Sequence, residues 1–301
     1  MKNLLSLLLG IWLAVAFNAQ AALEVVATTP DFGAIASAIG GDKVHVVSLA
    51  RGTEDPHFVD AKPSFIRTLN KADILIDGGA ELEIGWLPPI VSSARNRKIL
   101  YGGEGRVDGS EGIPLLEVPA GTVNRADGDV HPSGNPHYLL DPNNGILVAR
   151  HLAAHFSKTD PTNAAIYQKN LTSFEADLNA KMKEWARLLE PYQGAKVLTY
   201  HKSFDYFARH FGLVVAGQIE PKPGIEPSPT HISALIPKMK DAGVRLEIVE
   251  PNRPRKTAEY VAKNLGVKVV YLPILVGGND EATDYIKLLD YNVRSVVNGL
   301  K

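Results

Sequence analysis

Three of the nine histidines lie where a strand or a loop passes into a helix: His57, His137 and His201. In parallel α/β sheets the carboxyl ends of the strands line the crevice in which ligands bind, so we expect His57 and His201 to face such a crevice from opposite lobes. His57 and His137 each follow a proline, which limits backbone freedom and favours a preorganised ligand. Because neutral imidazole is a good donor to divalent transition metals, the three histidines predict a metal-binding site.

Five of the other six histidines are expected to be exposed or locally hydrogen-bonded side chains. His151 and His155 are four residues apart on a predicted helix and could bind a metal as a pair, but no glutamate follows His151. The His-Glu-x-x-His pattern of zinc proteases is therefore absent. His131 is the only histidine in the segment 103–136, so a metal-collecting loop is poorly supported. The remaining three are His45, His210 and His231.

The composition excludes several kinds of site and partner. The chain has 301 residues, of which 45% are hydrophobic and 22% charged, enough for two folded lobes. It contains no cysteine, so any metal must be held by histidines and carboxylates, and no thiol is present for lipid attachment. The formal net charge of -1 gives no electrostatic reason to expect nucleic acid as a partner.

The first 21 residues have the features of a secretory signal peptide. Lys2 is their only charge, the apolar run 4–17 is too short to span a bilayer, and Ala19-Gln20-Ala21 is a small-x-small cleavage signal. We therefore expect export to the periplasm. No later segment is apolar for long enough to cross a membrane, so we expect no membrane insertion.

From residue 23 onwards, short β-branched runs alternate with helical patterns, which predicts mostly parallel sheets flanked by helices. The first set of predicted strands covers 23–27, 44–48, 74–76 and 98–101, and a loop-like segment follows at 103–136. The second set covers 196–200, 213–216, 245–249 and 267–271.

Between the two sets, apolar residues recur at helical spacing as far as residue 190, after the helix-start signal Asp160-Pro161. We predict an N-terminal lobe over 22–157, a linker helix over 158–192 that braces both lobes, and a C-terminal lobe over 193–301. The alternative is a helix that belongs to one lobe only.

Several motifs occur between residues 55 and 251. They are Asp55-Pro56-His57 with Lys62-Pro63-Ser64, the segment 77–83, Asn135-Pro136-His137 with Asp141-Pro142, the segment 200–207, Glu226-Pro227-Ser228, and Val249-Glu250-Pro251. In this order they resemble the motifs of the periplasmic metal-binding proteins of zinc and manganese ABC transporters, a family that includes adhesin-like lipoproteins. The resemblance implies two similar lobes bridged by one long rigid helix, with the ion held in the cleft by His57, His137 and His201.

The fourth ligand is where the chain departs from that family. The resemblance implies an Asp near the end of the last strand of the second lobe, but Leu272 stands there and cannot bind a metal. Glu250, at the end of the neighbouring predicted strand, is the carboxylate that we expect to replace it, although a structural role for Glu250 is nearly as well supported. Water and Asp280 are the other options. Glu226 and Asp141 are candidates to orient the histidines.

The predicted function is high-affinity binding of a divalent transition metal ion and its delivery to a membrane ABC permease. Three imidazoles and at most one carboxylate favour Zn²⁺, and Mn²⁺ is the alternative because harder ions prefer oxygen ligands; iron is another possibility. We expect a monomer and no enzymatic activity. Three histidines with an open fourth position also describe a catalytic zinc site, so an exported zinc hydrolase is the competing hypothesis. The sequence neither supports nor excludes adhesion.

Overall fold

The computed structural model describes residues 21–123 and 128–301; the predicted signal peptide lies outside these ranges, apart from its last residue.

The N-terminal sheet has four parallel strands in the order β2-β1-β3-β4. They are β1 (Leu23–Ala27), β2 (Val44–Ser48), β3 (Ile74–Asp77) and β4 (Arg106–Asp108). The C-terminal sheet is also parallel, in the order β6-β5-β7-β8. Its strands are β5 (Lys196–Thr199), β6 (Val214–Gln218), β7 (Leu246–Val249) and β8 (Lys268–Tyr271). Both sheets thus repeat one topology, and the predicted fold class is confirmed.

Nine α-helices occur within the described part of the chain. They are α1 (Pro30–Gly40), α2 (Pro63–Lys71), α3 (Leu87–Ala94), α4 (Pro142–Thr159), α5 (Ala164–Leu189), α6 (Asp205–Phe211), α7 (Pro229–Ala242), α8 (Arg255–Leu265) and α9 (Tyr285–Leu300). Four of them begin with proline, which has a helical φ and no N–H to leave unpaired in the first turn. Among the described residues, no helix is long and apolar enough to span a bilayer.

One predicted strand is wrong. Residues 98–101 form no strand; Arg97–Ile99 is a 3₁₀ turn in which Ile99 is fully buried. The edge strand is instead β4, within the segment predicted to be loop-like. A short apolar run indicates burial, but it does not by itself distinguish a strand from a buried turn.

The 26-residue helix α5 packs against both lobes. At one end, the Asn170 side chain donates to the carbonyl of Ile39 at 2.9 Å, and at the other the Trp185 indole donates to Asp290 at 2.9 Å. A single cluster of buried apolar side chains runs from the first sheet, through Phe174 and Trp185 of this helix, to the second sheet. This continuous core resists independent movement of the lobes.

The lobes also touch beside the cleft. The carboxylate of Asp31, on α1, accepts a hydrogen bond from the backbone N–H of Val276 at 2.6 Å. A Cβ atom at Gly52 would lie 2.2 Å from the carbonyl oxygen of Val276, so only glycine allows this approach. The carboxyl ends of the two sheets are thereby held facing one another.

Candidate metal site

The structure brings the three predicted histidines together. One ring nitrogen of each of His57, His137 and His201 lies within 4.8 Å of the other two. His57 and His137 come from loops of the N-terminal lobe, and His201 directly follows Tyr200 at the end of the β5 segment. The ring centroids are separated by 5.1 Å for His57 and His137, 5.7 Å for His57 and His201, and 5.4 Å for His137 and His201. Residues that are 144 positions apart in sequence thus share one small volume.

Carboxylates orient two of these rings. His57 Nδ1 lies 2.8 Å from Asp55, which also accepts the backbone N–H of His57 at 3.0 Å. His201 Nδ1 lies 2.6 Å from the buried Glu220. With Nδ1 donating to a carboxylate in each ring, Nε2 is left to accept a proton or bind a metal.

The orienting carboxylates are not the ones predicted. Asp141 instead pairs with His210 Nδ1 at 2.8 Å and caps α4, and Glu226 is exposed. Asp55 could have been found from the sequence, because it lies two residues before His57. Glu220 could be found only by pairing strands, because it follows β6, the neighbour of β5.

Arg253 links the two orienting carboxylates across the cleft. Its guanidinium lies 3.4 Å from Asp55 of the N-terminal lobe and 3.2 Å from Glu220 of the C-terminal lobe. Burial alone would raise the pKa of Asp55, but the hydrogen bond from His57 and the charges of His57 and Arg253 outweigh it and hold that pKa well below its usual range. Nothing in the sequence pattern marked Arg253 as part of the site.

His137 is held by the backbone rather than by a carboxylate. Its N–H donates to the Asn135 side chain at 3.0 Å, and Asn135 in turn donates to the carbonyl of Lys202 at 2.8 Å in the opposite lobe. The Nε2 atom of His137 is buried and has no hydrogen-bond partner among the described residues. Burial, followed by the charges of His57 and His201, lowers the pKa of His137 well below its ordinary value. The ring is therefore neutral at pH 7, the form that binds metals.

A fourth imidazole, noted in the sequence only as the single histidine of the segment 103–136, lies beside His57 and outside the compact group of three. The Nε2 atom of His131 is 3.1 Å from Nε2 of His57, and the ring centroids are 5.2 Å apart. Burial, then the charges of His57 and His201, lowers the pKa of His131 to about 4. Its segment has neither periodicity nor a recognisable motif, so only the folded chain reveals this position.

The family of the chain follows from comparison with known proteins. The profile of the family described as "ZnuA: Zinc-uptake complex component A periplasmic" matches residues 25–299. The chain belongs to this family. It is 27% identical over 289 residues to the metal ABC transporter substrate-binding lipoprotein ScbA of Streptococcus cristatus, covering 92% of this chain and 89% of that one.

Solved structures agree with this assignment. A crystal structure of ZnuA matches with a TM-score of 0.77 and 26% identity, covering 93% of this chain and all of that chain. The substrate-binding protein FpvC of Pseudomonas aeruginosa, in complex with Mn²⁺, matches with a TM-score of 0.79 and 25% identity, covering 93% and 98%. The resemblance derived from the motifs is thus confirmed.

The fourth ligand predicted from the sequence, Glu250, directly follows β7 and is 1% exposed. Its carboxylate oxygens accept no hydrogen bond from the described residues, and the nearest charge is Arg253 Nε at 3.9 Å. A buried carboxylate in this state favours a nearby cation. The carboxylate is not part of the compact group of three histidines, so its role as a ligand stays a prediction.

The other positions considered for that ligand lie elsewhere. Leu272 is fully buried in the apolar core. Asp280 is exposed and lines a surface groove with Lys287 and Arg294 of α9. Three carboxyl side chains (Asp55, Glu220 and Glu250) and one guanidinium nevertheless lie around the histidines, and the excess of carboxyl groups favours a cation.

Proposed function

We propose that this protein binds a divalent transition metal ion, zinc in preference to others, through His57, His137 and His201, and delivers it to the permease of a metal ABC transporter. The observation that carries the proposal is the convergence of three imidazoles from two lobes on one point. Membership of a zinc-uptake family supports the transport role. The predicted signal peptide supports action in the periplasm.

Zinc is preferred because the ligand set is rich in imidazole. Nitrogen donors suit Zn²⁺, whereas Mn²⁺ prefers carboxylate, carbonyl and water oxygens. FpvC, at 25% identity, was crystallised with Mn²⁺, so manganese is the alternative to be tested directly. Because Zn²⁺ binds more tightly than Mn²⁺ at most sites of this kind, displacement does not separate the two. We expect elemental analysis of protein isolated from the periplasm to find Zn²⁺, and Mn²⁺ in its place would assign the site to manganese.

Transport is better supported than catalysis by the size of the site. The cavity lined by His131, His137 and His201 has a volume of about 40 Å³, room for only a few water molecules. A hydrolase would need space for an organic substrate next to the ion. The geometry therefore supports binding of a bare ion. The protein, as a monomer, would hold this ion in the cleft between its lobes.

The decisive measurement is zinc binding by calorimetry, with metal content determined by elemental analysis of protein prepared without a histidine tag. We expect one ion per chain in the wild type and loss of tight binding in His57→Ala, His137→Ala and His201→Ala. The control is His45→Ala, because His45 is an exposed ring paired with Glu24 on the surface. Unchanged binding in all three site variants would refute the proposal.

A further inference from the structure

We propose that His131 supplies the fourth ligand to the ion, and that residues 128–137, here called the covering loop, close the site over it. This inference rests on the proposed function and assigns a residue that neither the motifs nor the family resemblance indicated. It replaces Glu250 in the coordination sphere, leaving Glu250 as a buried negative charge near the ion.

The distance between His131 and His57 fits two ligands of one ion. With Zn–N bonds of about 2.0–2.1 Å, two corners of a tetrahedron are about 3.3 Å apart. The two Nε2 atoms are separated by 3.1 Å. His131 lies outside the compact group that His57, His137 and His201 form, so the covering loop has to move inwards for its ring to reach the ion that those three hold. Because Asp55 occupies Nδ1 of His57, the Nε2 atoms must share either a proton or a cation between them.

The covering loop is attached to both lobes, so the position of His131 depends on contacts with each of them. At one end, the backbone N–H of Asp129 donates to the carbonyl of Pro223 in the C-terminal lobe at 2.8 Å. At the other, the N–H of Asn135 donates to the carbonyl of Leu116 at 2.8 Å. Between them, the N–H of Gly134 donates to the carbonyl of His131 itself at 3.1 Å. This loop forms one wall of the cavity whose opposite side is His201.

Two properties of the protein follow from this arrangement. Four nitrogen donors select more strongly against Mn²⁺ than three nitrogens and a carboxylate would. An ion enclosed by the covering loop can leave only after His131 has moved away, so the loop controls the dissociation rate. Delivery to a permease would then require the contacts of Asp129 and Asn135 to be broken.

The test combines nuclear magnetic resonance of protein labelled with ¹⁵N at histidine with a chelator chase of bound Zn²⁺. We expect Nε2 of His131 to shift on addition of Zn²⁺ in the same way as those of His57 and His201. We also expect His131→Ala to release zinc at least about tenfold faster, since even groups that only orient ligands change metal affinity roughly 10–100-fold. The matched control is His151→Ala, whose imidazole pairs with Glu111 outside the cavity.

The outcomes separate this inference from the proposed function. If Zn²⁺ binds through the three other histidines, but His131 resonances do not shift and His131→Ala releases zinc at the wild-type rate, the inference is wrong and the function stands. If Glu250→Gln, rather than His131→Ala, accelerates release, the carboxylate is the ligand and the inference is again wrong. Loss of zinc binding to the three histidines themselves would refute the function.

Discussion

The two lobes have the same strand order but contribute to the site in different ways. The N-terminal lobe supplies His57 and His137 from long loops, with His57 oriented by a carboxylate only two residues away. The C-terminal lobe supplies His201 from the end of a strand segment, and its orienting carboxylate, Glu220, lies 19 residues further along. A repeated architecture therefore produces one asymmetric site. The strand order brings the sheet ends together, and the loops decide which ligands are present.

The largest expected effect tests whether the two lobes are equally important for stability. Ile76 of β3 and Ile248 of β7 occupy equivalent positions beside the central strands, and both are fully buried. We expect Ile76→Ala and Ile248→Ala each to lower the free energy of unfolding by about 2–5 kcal/mol. Denaturant unfolding followed by circular dichroism would measure this.

The control for the isoleucine pair is Val214→Ala, on the edge strand β6 and 45% exposed, for which we expect a change within about 0.5 kcal/mol. Because one apolar cluster joins the sheets, both isoleucine variants should shift a single transition. Two separate transitions would show that the lobes unfold independently.

A smaller effect compares the two orienting carboxylates. Asp55→Asn and Glu220→Gln remove the charge that orients His57 and His201, and each should weaken zinc binding roughly 10–100-fold. We expect the larger loss for Glu220→Gln, because the Glu220 side chain is more buried than that of Asp55. Calorimetry with competing chelator would rank them, and a larger loss for Asp55→Asn would reverse the comparison.

Arg253 contacts both Asp55 and Glu220, so its removal should affect the orientation of His57 and of His201. Arg253→Met keeps much of the side-chain volume but leaves Asp55 and Glu220 without their shared cation. We expect zinc affinity to fall about tenfold, within the range for groups that orient ligands. Arg253→Lys, which cannot bridge both carboxylates with a planar fork, should recover only part of the loss. Full recovery by lysine would mean that charge alone matters.

The last prediction concerns the pH dependence of folding in a chelating buffer. The pKa of His131 is lowered to about 4 in the folded protein, below the ordinary 6.5 that it has when unfolded. Between these two pKa values the His131 ring binds more protons in the unfolded chain than in the folded chain. His131 therefore destabilises the fold progressively as pH falls from about 6.5 towards 4. His131→Asn should therefore be more stable relative to wild type at pH 5 than at pH 7.5. The free energy of unfolding of the variant minus that of the wild type should be more positive at the lower pH.

Measuring the difference between variant and wild type removes the contribution of other buried groups. Burial raises the pKa of Asp31 to about 7, which acts in the opposite direction, but this carboxyl is present in both proteins. A difference that does not change with pH would show that the His131 ring is not buried among the other imidazoles.

Much of the architecture could be predicted from the sequence, because hydrophobic periodicity and helix-start signals are local. Seven of the eight predicted strands appear in the structure, and α5 follows the apolar repeat. The error at residues 98–101 arose where a short apolar run was buried in a turn. His57, His137 and His201 were predictable because each lies at an element boundary next to a motif.

By itself, the sequence determined the repeated βα pattern, the absence of thiol ligands and the choice of three histidines. Only the tertiary structure decided that His131 lies beside His57, that Glu220 rather than Glu226 orients His201, and that Arg253 spans the cleft. The physical reason is that the first group depends on spacing along the chain, which a sequence displays directly. The second depends on where loops from two sheets meet in space, and no local pattern encodes that distance.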